Sequence, residues 1–159
     1  MMLAYDSEKL LDATGWELLE TLQEDARLPF SELGRRVGMS APAVAERVRR
    51  LEEAGIITGY HAEINTEKIG YPLLAFTRLS APGDKVGAIC ALLNELPEVL
   101  ECHRITGDDC FIIKLAVSSV THLEELLNRF GPYGRTTTSI VLSSPVRRRT
   151  LMQDIGALL

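Results

Sequence analysis

The spacing of apolar residues changes period part-way along the chain, and that change constrains the fold more than any other feature. Up to about residue 55 apolar side chains recur every three or four positions, as on helices; from Tyr71 they fall into strand-like stretches separated by helical ones. The first strand is Leu73 to Ser80, ended by Ala81-Pro82-Gly83. A helix from about Asp84 to Leu96 carries Val86, Ile89, Cys90 and Leu93 on one face, and Pro97 stops it. Val99 to Thr106 and Cys110 to Val117 form a hairpin across the turn Gly107-Asp108-Asp109. Ser119 to Phe130 is a helix with Val120, Leu123, Leu127 and Phe130 inward, and Thr136 to Leu142 is the last strand. The order strand, helix, strand, strand, helix, strand predicts a ferredoxin-like α+β sandwich with both helices on one face of the sheet. A bare opposite face with apolar side chains calls for pairing, so a homodimer is expected.

The helical part has its own punctuation. Trp16, Leu18, Leu19 and Leu22 make one amphipathic stripe behind Asp12, which stands where an N-terminal cap belongs. After Arg27-Leu28-Pro29, Ser31 is the expected cap of a second short helix, with Leu33 and Val37 inward and Arg35 and Arg36 outward. Gly38-Met39 turns the chain. Ser40 caps a third helix over about residues 41–54, Pro42 is tolerated in its first turn, and Gly55 ends it. Val44, Val48 and Leu51 form its buried stripe; Ala43, Glu46, Arg47 and Arg50 form the outer one.

Two helices joined by a glycine-containing turn, the second basic on its outer face, are a helix-turn-helix signature. The candidate DNA surface comprises Arg35, Arg36, Ser40, Ala41, Pro42, Ala43, Glu46, Arg47 and Arg50. Small residues at the helix start allow close approach to a major groove, Arg47 can meet a base edge or phosphate, and Arg50 can anchor phosphate. The net charge of −5 does not oppose this, because residues 35–50 hold five arginines against Glu46 alone. Ile56-Ile57-Thr58 and Tyr60 to Ile64 read as an extended exit from the bundle, either a linker or a rudimentary wing. The reading is therefore a winged-type helix-turn-helix domain (1–57), a linker (58–70), a ferredoxin-like domain (71–145) and a tail (146–159). Within the tail, Val146-Arg147-Arg148-Arg149-Thr150 is an extra DNA contact or, on the plainer reading, a solvated charge run.

Other classes receive little support. No apolar run approaches the roughly 20 residues of a membrane span, and the start MMLAYDSEKLLD lacks signal-peptide order, so a cytoplasmic protein is expected. Cys90, Cys102 and Cys110 are odd in number and without CxxC spacing, which fits reduced thiols. Cys102 and His103, neighbours on a strand, point to opposite faces, so no metal site is expected; nor is a cofactor. No GxSxG, HExxH or phosphate-cradling glycine loop is present.

The stretch LLDATGWELLETLQEDARLPFSELGRRVGMSAPAVAERVRRLEEAGIITGYHAEIN resembles the DNA-binding domain of the Lrp/AsnC (feast/famine) regulators. Its carriers are Asp12, Asp25-Ala26-Arg27, Glu32-Leu33, Val37-Gly38-Met39-Ser40, Val44, Arg47-Val48, Arg50-Leu51-Glu52, Gly55-Ile56-Ile57 and Gly59-Tyr60. The second half is similar to the family's sensing domain through Val99, Thr106-Gly107-Asp108, Phe111, Pro132, Arg135-Thr136-Thr137-Thr138 and Val141-Leu142. The resemblance implies a homodimer, commonly assembled further into octamers, that binds double-stranded DNA and an amino acid or similar small effector between sensing domains. It further implies that Gly107, Asp108, Asp109 and Cys110 line the effector pocket, with Thr136 and Thr138 approaching from the last strand. Carboxylates for an ammonium and hydroxyl or backbone donors for a carboxylate are the groups a zwitterion needs. The chain departs from the pattern at Cys110, where family members often carry a second acid.

Two other functions compete. Decarboxylases of the sirohaem pathway resemble the same two-domain layout, and His103 and Arg104 can hold propionates; against this stands the arginine-studded third helix. The helical bundle can also dock a protein, a reading that salt dependence of binding separates from DNA recognition.

Overall fold

The computed structural model describes residues 9–153. Residues 1–8, most of the start that lacks signal-peptide order, and 154–159 of the tail lie outside the described residues. The described residues divide into two compact units, one comprising 9–62 together with 146–153, the other spanning Glu63–Pro145.

The first unit contains α1 (Ala13–Glu24), α2 (Phe30–Val37) and α3 (Ala41–Glu53). Asp12 caps α1 by accepting from the Gly15 N–H at 2.8 Å, and Ser40 caps α3 by accepting from the Ala43 N–H at 3.4 Å. The start of α2 differs from the expectation. Ser31 lies inside its first turn, and Pro29 holds the capping position with no side-chain bond. Its extended backbone brings the Pro29 carbonyl round to accept from the Glu32 and Leu33 N–H groups at 2.9 and 3.0 Å, so the helix begins before Ser31 can cap it.

Both later helices end on left-handed glycines. After α3, Gly55 at φ 69° lets the Ile56 N–H reach the Leu51 carbonyl (2.9 Å) and its own N–H reach Glu52 (2.9 Å), the paired bonds of a Schellman stop. Gly34, inside α2, answers to packing: a Cβ there would run into the Met39 carbonyl oxygen, so only glycine allows the turn to fold back this tightly. Leu18, Leu22, Leu33, Val44 and Val48 form the core. No strand ladder forms along residues 56–64, and Ile57 packs against this core.

The second unit runs β1 (Leu73–Ser80), α4 (Val86–Glu95), β2 (Val99–Arg104), β3 (Phe111–Val117), α5 (Val120–Phe130) and β4 (Arg135–Ile140). The sheet order is β2-β3-β1-β4, with all neighbours antiparallel, which is the ferredoxin-like arrangement expected. Ala75, Leu79, Phe111, Ile113, Leu115 and Val117 face the helices and pack with Ile89, Leu93, Leu123, Leu126 and Phe130. One inward assignment needs correction. Val120 is 62% exposed and Leu126 is buried instead, because Val120 is the first residue of α5 and that turn stands clear of the core.

The register places Leu74, Phe76 and Arg78 of β1 beside Ala116, Lys114 and Ile112 of β3 on the opposite face. Phe76 is 41% exposed there.

Candidate nucleic-acid interface and effector site

The helix-turn-helix arginines sit in a repeated arrangement. On α2, Glu32 takes hydrogen bonds from Arg35 (2.8 and 3.0 Å) and from Arg36 (3.3 Å). On α3, Glu46 does the same for Arg49 (2.8 and 3.0 Å) and Arg50 (2.8 Å), while Arg49 also reaches Glu53. Each glutamate thus serves arginines three and four residues onward, the spacing that puts side chains on one helical face. The arginine hydrogen bonds hold both carboxyls down at about 2, against an ordinary 4.5. Folded values below the unfolded ones favour the fold at pH above about 4.5, and that contribution disappears as pH falls through about 2.

Arg47 is placed differently from its neighbours. Its guanidinium turns back to the Asp12 carboxylate, the cap of α1, and its side chain is only 21% exposed. Its Nε is buried without an acceptor among the described residues. Asp12 is held below the usual carboxylate range first by the Gly15 N–H, with Arg47 adding to it. One carboxylate therefore both starts α1 and ties it to α3. Arg50, Arg35 and Arg36 are exposed; Pro42 is exposed, and Ala41, Ala43 and Glu46 are half-buried, leaving the start of α3 low in profile.

Removing Glu46 frees Arg50 and leaves Arg49 with Glu53 as its one carboxylate partner among the described residues. Glu46→Gln is expected to steepen the log–log fall of DNA affinity with salt by about 0.9 for each arginine that gains a phosphate. Titrations at several salt concentrations read that slope, and a slope equal to that of the parent protein would contradict the expectation.

In the second unit, the predicted effector residues fall into two groups. The turn between β2 and β3 folds onto the end of β1: the Asp108 carbonyl accepts from Ser80 Oγ at 2.9 Å, the Cys110 N–H donates to Leu79 O at 2.9 Å, and Cys110 Sγ donates to Ala81 O at 3.2 Å. Gly107 makes the turn possible at φ 109°. Thr136 enters from the other side, in register with Leu79. Thr138 lies deeper, its hydroxyl 2.9 Å from that of Thr77, which is fully buried. The Asp109 carboxylate is 3.6 Å from Arg78 Nε.

Ser80, Thr77 and Arg78 were not expected at this site. Thr77 had a readable signal, a polar residue in the inward phase of an apolar strand; Ser80 and Arg78 enter only through the pairing of β1 with its neighbours.

A three-helix DNA-reading unit followed by a ferredoxin-like unit with a polar turn at the sheet end defines a DNA-binding regulator with a sensing-type domain. Residues 11–52 match the AsnC-type helix-turn-helix domain, and residues 74–151 match the Lrp/AsnC ligand binding domain. The chain belongs to the Lrp/AsnC family of transcription regulators. It is 33% identical to the transcriptional regulator LrpC of Bacillus subtilis over 133 residues, covering 84% of this chain and 92% of that protein. With LrpA of Mycobacterium tuberculosis it shares 36% over 142 residues, 86% of this chain and 89% of that protein. The solved structure of B. subtilis LrpC superposes with a TM-score of 0.83 at 32% identity, covering 87% and 99% of the two chains. A Neisseria meningitidis transcriptional regulator in complex with L-methionine gives 0.84 at 28% identity, with 94% and 99% covered. A feast or famine regulatory protein from M. tuberculosis complexed with L-methionine gives 0.83 at 34%, with 89% and 99% covered. Among the described residues no helix is long and apolar enough to cross a membrane.

Proposed function

We propose that the chain works as a homodimeric, amino-acid-responsive DNA-binding regulator, acting in the cytoplasm and without catalysis. The observation that carries the effector reading is the docking of the Gly107–Cys110 turn on the end of β1, opposite Thr136. A zwitterion there meets the Asp108 and Asp109 carboxylates with its ammonium and the Thr136 hydroxyl with its carboxylate. That two relatives were solved with L-methionine supports an amino acid as the ligand class. Cys110, where a second acid is common, spends its thiol on Ala81 O, so the acids of the turn are Asp108 and Asp109, the latter beside Arg78.

The homodimer rests on the uncovered sheet face carrying Phe76 and on Leu142, which is 97% exposed. A two-fold dimer pairs two reading helices for paired half-sites, with Arg50, Arg35 and Arg36 on phosphates and the low start of α3 against the bases. Arg47 acts through its bond to Asp12, positioning α3 for that contact. Further assembly to an octamer is consistent with the family.

Binding must be coupled reciprocally: an effector that changes DNA affinity has its own affinity changed by DNA to the same degree. Calorimetric titration with L-methionine, with and without DNA from the protein's own upstream region, tests the scheme. Asp109→Asn is expected to weaken L-methionine binding by about 10- to 100-fold, the loss of one charge-assisted bond. Unchanged affinity in that variant would remove Asp109 from the site, and equal L-methionine affinity with and without DNA would remove the coupling.

A further inference from the structure

The structure fastens the arginine tail to the DNA-reading unit and leaves its charge unspent. Residues 146–153 belong to the same compact unit as the three helices. Gln23 of α1 holds Leu151 at two points: the side-chain Nε2 donates to Leu151 O at 3.1 Å, and the Leu151 N–H donates to Oε1 at 2.9 Å. The same Nε2 donates its second hydrogen to Leu19 O at 3.1 Å. Both donors and the acceptor of the amide are thereby used, and a flipped amide would set an NH2 group against the Leu151 N–H. The clasp grips backbone, so it depends on Gln23 and not on the side chain at 151.

Arg147, Arg148 and Arg149, directly before this anchor, are exposed and have no hydrogen-bond or ion-pair partner among the described residues. The contrast lies within the same unit. Arg35, Arg36, Arg47, Arg49 and Arg50 are each held by Glu32, Asp12, Glu46 or Glu53. A phosphate that takes one of those helix arginines meets a charge already partly neutralised by an intramolecular carboxylate. The three tail arginines share theirs with no carboxylate among the described residues.

We propose that Arg147, Arg148 and Arg149 form a tethered basic arm that grips the phosphate backbone of double-stranded DNA, with Gln23 fixing it to the reading unit. This rests on the DNA-binding reading and adds a second contact region to it. The segment is exposed and non-helical, and a duplex presents one phosphate charge for about every 1.7 Å of its axis when both strands are counted. Three successive arginines on long stems can therefore each meet a different phosphate. Such contacts carry no sequence information; they add affinity and salt sensitivity on any duplex.

The test measures affinity of the full chain for its own upstream DNA and for random-sequence duplex over a salt series. Replacing the three arginines together (R147Q, R148Q and R149Q) is expected to make the log–log salt slope shallower by about 2–3, near 0.9 per lost phosphate contact. The change should be equal on both DNAs and leave their affinity ratio intact. The triple lysine replacement (R147K, R148K and R149K) keeps the parental slope, because charge is what neutralises phosphate. Gln23→Ala leaves all three charges but frees the arm, giving a slope between the parent and the glutamine variant. Trp16 fluorescence in urea confirms that each variant is folded. A parental slope in the glutamine variant overturns the arm, a lost slope in the lysine variant overturns its charge basis, and a parental slope in Gln23→Ala overturns the tether. If the parent itself shows no salt-sensitive DNA binding, the DNA-binding reading and the arm fall together.

Discussion

Phe130→Ala removes about 3–5 kcal/mol from the stability of the sensing unit, the largest single loss expected in this chain. The ring is fully buried in the cluster of Leu123, Leu126, Ile89 and the inward residues of β1 and β3. Its deletion forfeits the transfer of an aromatic side chain from water and leaves a cavity that close-packed neighbours fill only partly. Phe130 is also the last residue of α5, directly before the Gly131–Tyr133 turn that delivers β4 and with it Thr136 and Thr138. The variant should therefore lose effector binding along with stability. Urea unfolding followed by circular dichroism measures the loss, and a change below about 1 kcal/mol would show that Phe130 does not anchor this core.

Leu33→Ala has the second largest effect, about 2–5 kcal/mol on the DNA-reading unit. Leu33 is fully buried among Leu18, Leu22, Val44 and Val48, and it joins residues of all three helices. Small units bury a modest share of their surface and have little stability in reserve, so a loss of this size populates unfolded helices at ambient temperature. The sole tryptophan, Trp16, lies on α1 and reports this unit by fluorescence. Its unfolding midpoint should drop sharply, and DNA binding should fail at both low and high salt. Surviving DNA affinity with an unshifted midpoint would contradict the assignment of Leu33 to the core that supports α3.

Both predictions concern side chains whose burial is legible in the amino-acid sequence. Leu33 and Phe130 stand in phase with their helical stripes, and that phase follows from local periodicity. The caps Asp12 and Ser40 are equally readable, because a cap acts on an N–H three residues away. Local rules fail where a competing local effect intervenes. At Pro29 the backbone itself begins α2 and overrides Ser31, and at Val120 the right stripe begins one turn too early to find a core.

The interface divides the same way. Glu32 with Arg35 and Arg36, and Glu46 with Arg49 and Arg50, lie three and four residues apart, so helical spacing alone brings them together. Arg47 meets Asp12 from 35 positions away, and no spacing rule predicts that meeting. The candidate effector site depends on strand pairing: Thr77 finds Thr138 at a separation of 61, and Ser80 finds Asp108 at 28.

By itself the amino-acid sequence determined the order and type of the elements, the two-unit layout and the regulator family, because periodicity, caps and turn glycines act over a few residues. Only the tertiary structure decided which arginines are already engaged, which polar groups meet at the end of β1, and that Gln23 holds Leu151 across a separation of 128. Those outcomes depend on contacts between distant segments, whose geometry is set by the packing of whole elements and leaves no local trace in the residues that make them.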